Sequence, residues 1–240
     1  EGGEGAYCMV SLGGGPAFDF VGAALASSFS TPTSATGQNI STSSRSIRAT
    51  ILDYEEGWAD LVRAMDLSTR NILQQPHFSC NWGGKCDITK PITDPSNAAC
   101  LEAMESTDLW TCQYCVAENA NLLRDSNYVF FRDLFDNAKD GAVFIITETR
   151  PNVWPDMCNL MKEHCTYMQI GFNKNGRQML LRKGTNATQS TPLISKKDLA
   201  LLKQFENIEK YHKRKIDSGW ERQQRKIRGN PASCVQEIVI

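Results

Sequence analysis

From the amino end, short apolar runs alternate with stretches whose apolar residues recur every three or four positions. Tyr7 to Leu12 is the first such run. Gly13-Gly14-Gly15-Pro16 follows, and Phe18, Val21, Gly22 and Leu25 then fall at helical spacing. This predicts a strand, a tight glycine turn and a helix. Ile47 to Leu52 predicts a second strand ending at Asp53, and Trp58, Leu61, Val62 and Met65 a second helix. Phe78 to Cys80 with Cys86-Asp87-Ile88 mark a third strand region, and Ala98 to Met104 a short helix. Leu109 to Val116 reads as a fourth strand, preceded by Asp108. Tyr128, Phe131, Leu134 and Phe135 define an amphipathic helix that leads through Asp140-Gly141 into the strand Ala142 to Thr147. Tyr167 to Phe172 and Gln178 to Leu181 close the series as a hairpin across Asn173-Lys174-Asn175-Gly176, since Asn-Gly between apolar runs suits a tight hairpin turn. Alternating strands and helices need crossovers on the sheet faces. The expected class is therefore α/β: a doubly wound, mostly parallel seven-stranded sheet with a C-terminal antiparallel hairpin, plus a basic C-terminal helix.

Two segments break the pattern. In Ser30 to Ser46, 10 of 17 residues are Ser or Thr, without periodicity, so residues 30–46 are expected to be a disordered surface insertion. Between Lys196 and Arg228 there are 11 Lys/Arg against 5 Asp/Glu, a net of +6 in 33 residues. With a net charge of -1 overall, the rest carries -7. This excludes a uniformly basic nucleic-acid binder but leaves a basic element on a mildly acidic body. Leu199, Leu202, Phe205 and Ile208 recur every three residues, as on a helix packed by one stripe. The expected division is residues 1–194 as one domain and 195–240 as a basic helical extension.

At 240 residues, 41% hydrophobic and 22% charged, the chain has an ordinary globular composition. Its longest strongly apolar run, Ala142 to Ile146, is far shorter than the roughly 20 residues of a membrane helix. Nine cysteines, an odd number spread through apolar segments, point to reduced buried thiols and an intracellular location, cytoplasmic or nuclear. Cys112-x-x-Cys115 has the spacing of a redox or zinc pair, yet within a strand residues three apart face opposite ways, and no second pair matches. His77, His164 and His212 are scattered, so no metal site is expected.

A glycine turn between strand and helix aims backbone N–H groups at a ligand above the strand end. A P-loop would need Lys-Ser/Thr after the glycines, where Phe18-Asp19 stands, and a dinucleotide fingerprint begun at Gly13 would need glycine in place of Phe18. The remaining candidate is S-adenosylmethionine (SAM). Val10-Ser11-Leu12-Gly13-Gly14-Gly15-Pro16-Ala17 resembles the first motif of the class I methyltransferases, with Ser11 where that family has an acid and Ala17 in place of the last glycine. Asp53 lies 38 residues after Gly15. Without the 17-residue insertion that is 21, near the roughly 20 expected of a compact βαβ unit. The resemblance spans Ala6 to Leu181. It implies SAM as cofactor, with Ser11, Gly13, Gly14, Gly15, Asp53, Tyr54, Asp87, Ile88 and Gln113 as its contacts: Asp53 on the ribose, Asp87-Ile88 on the adenine. It also places Asp108 to Glu118 at the edge where substrate meets the methyl group. Together with Asp53-Tyr54-Glu55-Glu56-Gly57-Trp58, the first motif is similar to a eukaryotic branch that includes fungal ribosomal-RNA uridine methyltransferases.

Glu118 is the candidate catalytic residue, as substrate orienter or proton acceptor, against the plainer role of a solvated or capping carboxylate. Gln113 and Tyr114 follow the apolar run and line the expected pocket, though Tyr114 fits the core equally. Glu148 and Arg150, after the fifth strand, sit where such a fold contacts substrate, though Glu148 could instead cap the following turn, and Trp58 and Trp154 read as packing residues. Two function classes follow. One is a methyltransferase acting on RNA, through the 196–228 segment, or on a small molecule; the other is a non-catalytic scaffold or partner subunit of the same fold.

Overall fold

The computed structural model describes residues 6–29, 46–74, 77–149, 153–161, 165–173 and 176–184, with positions 200 and 203. The expectations for residues 30–45 and for nearly all of the basic segment lie outside these residues. The chain divides into two compact units, Glu1–Ser195 and Lys196–Ile240. Of the second, only Ala200 and Lys203 are described, both helical.

In the first unit the strands are β1 (Tyr7–Leu12), β2 (Ile47–Asp53), β3 (Phe78–Lys85), β4 (Leu109–Gln113), β5 (Val143–Glu148), β6 (Cys165–Asn173) and β7 (Gly176–Lys183). The helices are α1 (Phe18–Phe29), α2 (Ala59–Leu73), α3 (Ala98–Ala103), α4 (Ala120–Asp125), α5 (Val129–Asn137) and α6 (Trp154–Met161). The strands form one sheet in the order β3-β2-β1-β4-β5-β7-β6. β1 to β5 pair in parallel, and β7 inserts antiparallel between β5 and β6. Seven strands, doubly wound with a terminal hairpin, is the architecture the periodicity implies.

The strands read as continuous apolar runs because both sheet faces are covered. On one face Met9, Ala49 and Ile51 pack with Phe20 and Ala24 of α1 and Val62 of α2. On the other, Phe135 of α5 meets Phe144 of β5 edge-on at 4.9 Å, and Trp110 of β4 stacks on Phe144 at 6.5 Å. Each such fully buried aromatic contributes about 1.5–3 kcal/mol of burial.

Several expectations need correction. The buried face of α1 is Phe20 and Ala24, continued by Ala17 just before the helix. Phe18 is 68% exposed and Leu25 38%, so of the stripe read from the sequence these two face outward and only Val21 packs against the core. Likewise Leu61 of α2 points out, at 42% exposure. β3 runs through Gly83 and Gly84 to Lys85, leaving Cys86-Asp87-Ile88 beyond its end. β4 stops at Gln113, three residues early, and α4 and α6 gave no periodic pattern long enough to register. No helix among the described residues is long and apolar enough to cross a membrane.

Candidate functional site

Strand order reverses between β1 and β4: the chain builds outward from β1 through β2 to β3, then returns to add β4 on the other side. The loops leaving β1 and β4 therefore part, opening a crevice above the carboxyl ends of both strands. The glycine turn comes directly after β1. Gly13 and Gly15 have φ of 63° and 46°, and Ala17 takes 68°. Only glycine enters this left-handed region freely; for alanine it costs about 1 kcal/mol. The last glycine of the motif is thus replaced in residue but kept in backbone. Space is equally restrictive, since a Cβ on Gly13 would lie 2.0 Å from Cys115 Sγ, and one on Gly14 2.6 Å from Ser11 Oγ.

Asp53, the last residue of β2, holds this turn. Its Oδ2 accepts the Gly15 N–H at 2.9 Å and its Oδ1 the Glu55 N–H at 3.0 Å, while Gly14 N–H donates to Leu52 O at 3.1 Å. An ionised carboxylate offers about four acceptor positions, so two remain for a pair of hydroxyls. The ring of Trp58 covers Gly15. Tyr54 is 55% exposed, with Lys85 Nζ 4.6 Å from its ring centroid. Cys86 N–H donates to Asp53 O at 2.8 Å, which brings Asp87 and Ile88 beside the same edge. Both are buried, and Asp87 Oδ1 is already engaged by the Thr89 N–H and hydroxyl at 3.0 and 2.6 Å.

Ser11 is fully buried. Its hydroxyl donates to Asp19 Oδ2 at 2.6 Å, and Thr111 of β4, directly opposite Ser11 in the strand pairing, donates to the same oxygen at 2.6 Å. A carboxylate from the first turn of α1 thus stands over the β1–β4 junction. Neither Asp19 nor Thr111 emerged from the sequence. The available sign was an acid interrupting the apolar start of a helix two residues after the turn.

Across the crevice, β4 ends at Gln113, whose pairing partner is Thr147, and Tyr114 N–H donates to Thr147 O at 2.8 Å. Tyr114 has φ 63°, an outlier for a bulky residue, and is 46% exposed, so it is not core. Its reversal turns the chain back and brings the Cys115 thiol against Cys112. The thiol–thiol hydrogen bond, then burial and the Glu148 and Asp19 carboxylates, push the Cys112 thiol well above its ordinary range. The expectation of opposite faces fails because a strand was assumed where it has ended.

Glu148 is buried, and its Oε1 accepts the N–H groups of Val116 and Ala117 at 2.6 and 3.0 Å. Glu148 does cap a turn, but the one after β4, 31 and 32 residues earlier in the chain, and not the turn that follows β5. Glu118 is exposed on the turn so fixed. Asp108 needs correction: it sits at the amino end of β4, where it accepts from Cys8 N–H at 2.8 Å and pairs with Lys139, at the far end of the strand from the crevice. Arg150 lies outside the described residues, and among those described no cluster of His, Cys, Asp or Glu could hold a metal.

Strand order 3-2-1-4-5-7-6 with strand 7 antiparallel, crossed by a glycine turn after β1 and an acid after β2, settles the architecture. The fold is that of the class I methyltransferases. Among protein-family models none matches the chain, and no curated protein matches it. Solved structures do. A SAM-dependent methyltransferase from Methanosarcina mazei is 10% identical over 76% of this chain and 95% of its own, with a TM-score of 0.49. A precorrin-6y C5,15-methyltransferase from Geobacter metallireducens is 8% identical over 75% and 81%, at 0.43. An rRNA methylase from Streptococcus thermophilus is 8% identical over 75% and 88%, also at 0.43.

Proposed function

We propose that the chain is a SAM-dependent methyltransferase, with cofactor across the carboxyl ends of β1 and β2 and acceptor approaching from the end of β4. The observation that carries this reading is the Asp53–Gly15 tie: a turn with no room for side chains at Gly13 or Gly14, fastened to a carboxylate that keeps two acceptor positions for vicinal hydroxyls. In this reading Gly13, Gly14, Gly15, Asp53 and Tyr54 line the nucleoside side, Asp87 and Ile88 the base, and Gln113 the reacting end, while Ser11, fully buried with its hydroxyl on Asp19, supports the turn from beneath.

When bound, SAM supplies a sulfonium methyl, already electrophilic. The protein's own task is then to position an acceptor in line and to take its proton where it carries one. We assign that proton to Glu118, which is exposed on a turn clamped by Glu148. RNA is the acceptor class we favour, because +6 in 33 residues suits phosphates. Reversing the charge of Lys213, Arg214 and Lys215 then weakens RNA binding and methylation and leaves cofactor affinity unchanged.

The direct test is thermal. SAM or S-adenosylhomocysteine at 100 times its Kd adds about 2.7 kcal/mol, a rise of about 5–10 °C in Tm for a chain of this size. A flat melting curve at millimolar ligand would refute the cofactor reading. A clear shift without methyl transfer to any acceptor would favour the non-catalytic scaffold, for which the residue exchanges at Ser11 and Ala17 speak.

A further inference from the structure

The turn that ends β4 carries two free thiols that differ in their access to solvent. Cys112 is buried in the strand ladder, paired with Leu12 on one side and Ile146 on the other. Cys115, turned back by the left-handed Tyr114, is partly exposed, with Sγ 3.1 Å from Gln113 O and 3.7 Å from Leu12 O. Both cysteines therefore lie beside Leu12, and a thiol–thiol hydrogen bond joins them. The Cys115 sulfur also fills the space that a Cβ on Gly13 would enter. From it the chain runs on into Val116 and Ala117, whose N–H groups Glu148 holds. One sulfur thus touches the glycine turn, the end of β4 and the loop that bears Glu118.

We infer that Cys112 and Cys115 form a thiol–disulfide switch that moves this loop. The oxidant is a small-molecule disulfide of the glutathione class. The Cys115 thiolate attacks one of its sulfurs, the other leaves as a thiolate, and a mixed disulfide remains. Cys112 then gives its proton to solvent and attacks the Cys115 sulfur, expelling the second small thiolate. Two protein thiols are oxidised to one disulfide while one small disulfide is reduced to two thiols. Cys112, kept protonated by its hydrogen bond and by burial, resolves the mixed disulfide and does not start the exchange.

The bond sets the two sulfurs about 2.05 Å apart, closer than a hydrogen bond allows. Strands on both sides hold Cys112, so Cys115 is the residue that moves, pulling Val116 and Ala117 against the Glu148 clamp. A second pair shows what selects the first. Cys86 and Cys100 share the same kind of hydrogen bond but are both fully buried, so an oxidant in solvent does not reach them. The bond and the loop movement are independent of the SAM reading, and the effect on methyl transfer rests on it.

The full chain and Cys112→Ala are equilibrated in glutathione buffers of rising disulfide content, alkylated and mapped by peptide mass. Amide exchange and transfer from methyl-labelled SAM are then compared between the reduced and oxidised forms. Expected is a Cys112–Cys115 disulfide that dithiothreitol reverses, with Cys86 and Cys100 still reduced, and only the mixed disulfide in Cys112→Ala. On oxidation, exchange at Val116 and Ala117 rises about tenfold, with Gly15 unchanged within about twofold, and methyl transfer falls about tenfold. A mixed disulfide that Cys112 never resolves, oxidation of Cys86 and Cys100 alongside, or unchanged exchange at Val116 and Ala117 overturns the switch, as does equal turnover in the two forms. No transfer from either form refutes the methyl-transfer reading instead, and exchange at Val116 and Ala117 then decides the switch alone.

Discussion

On the β1–β2 side of the crevice, polar groups of the site reach backbone and hydroxyls of neighbouring strands, and the residues that would clash are glycines. Asp53 ties Gly15, Leu52 ties Gly14, and Asp19 gathers Ser11 and Thr111. On the β4–β5 side the same edge is built from strained and buried groups that hold a loop open: Tyr114 in a left-handed conformation with its ring half in solvent, Cys115 folded back onto Cys112, and Glu148 spent on two N–H groups. A turn that fits one ligand can be built of backbone, whose chemistry is the same in every chain. A surface for a variable acceptor has to be built of side chains on a loop.

The largest expected effect joins the two sides. In Gly13→Ala the new Cβ meets Cys115 Sγ at 2.0 Å in a backbone of φ 63°, so clash and strain together should cost about 3 kcal/mol or more and abolish cofactor binding. Adding Cys115→Ala should return roughly half of that loss, as read by urea unfolding. No recovery in the double variant would mean that the sides are not in contact at this point.

Next come two carboxylates that should fail in opposite currencies. Glu148→Ala strands the buried N–H groups of Val116 and Ala117 and should lower stability by about 2–4 kcal/mol. Asp53→Ala should instead weaken binding of S-adenosylhomocysteine by about 1.5–3 kcal/mol, with the chain still folded, because Asp53 is itself half-exposed at the end of β2. Unchanged affinity in Asp53→Ala would remove the ribose from its place above β2.

Much of the first side was legible in the sequence because glycine spacing and a strand-terminal acid are local marks. Gly13 to Gly15 and Asp53 needed only a count of residues once the Ser/Thr stretch was set aside. Asp19 was not legible, since its role depends on Thr111, 92 residues away in the chain. The second side was misread at one residue. Leu109 to Val116 looks like a single strand, and nothing local announces that Tyr114 takes a positive φ; that conformation exists because Cys115 and the Glu148 cap hold the far side of the turn. The face of α1 failed for a different reason. Alanines and Phe20 pack closely against β1 and β2, and the larger Phe18 and Leu25 were mistaken for the buried stripe.

Smaller effects sharpen the contrast. Tyr114→Gly should stabilise the fold by up to about 1 kcal/mol by relieving the left-handed strain, or leave it neutral, and still lower turnover if the ring meets the acceptor. Higher stability with full turnover would make Tyr114 a bystander. Under β2 and β3, burial chiefly, with the Asp66 carboxylate adding, pushes the Cys80 thiol up to about 12, and Cys112 under β4 moves the same way. For Cys80 a raised folded pKa means stability that is complete below about 9 and is lost as pH climbs from there through about 12, at roughly 1 kcal/mol per pH unit. Cys80→Ala should flatten that alkaline decline in urea midpoints, and an unaltered slope would contradict the burial.

The central claim is methyl transfer, and it is tested most directly by incubating the full chain with methyl-labelled SAM and separate cell fractions of RNA, protein and metabolites. The account expects label in one fraction, RNA, lost in Gly13→Ala and in the Lys213, Arg214 and Lys215 charge reversal alike. Label in no fraction, from a chain that binds S-adenosylhomocysteine, would contradict it.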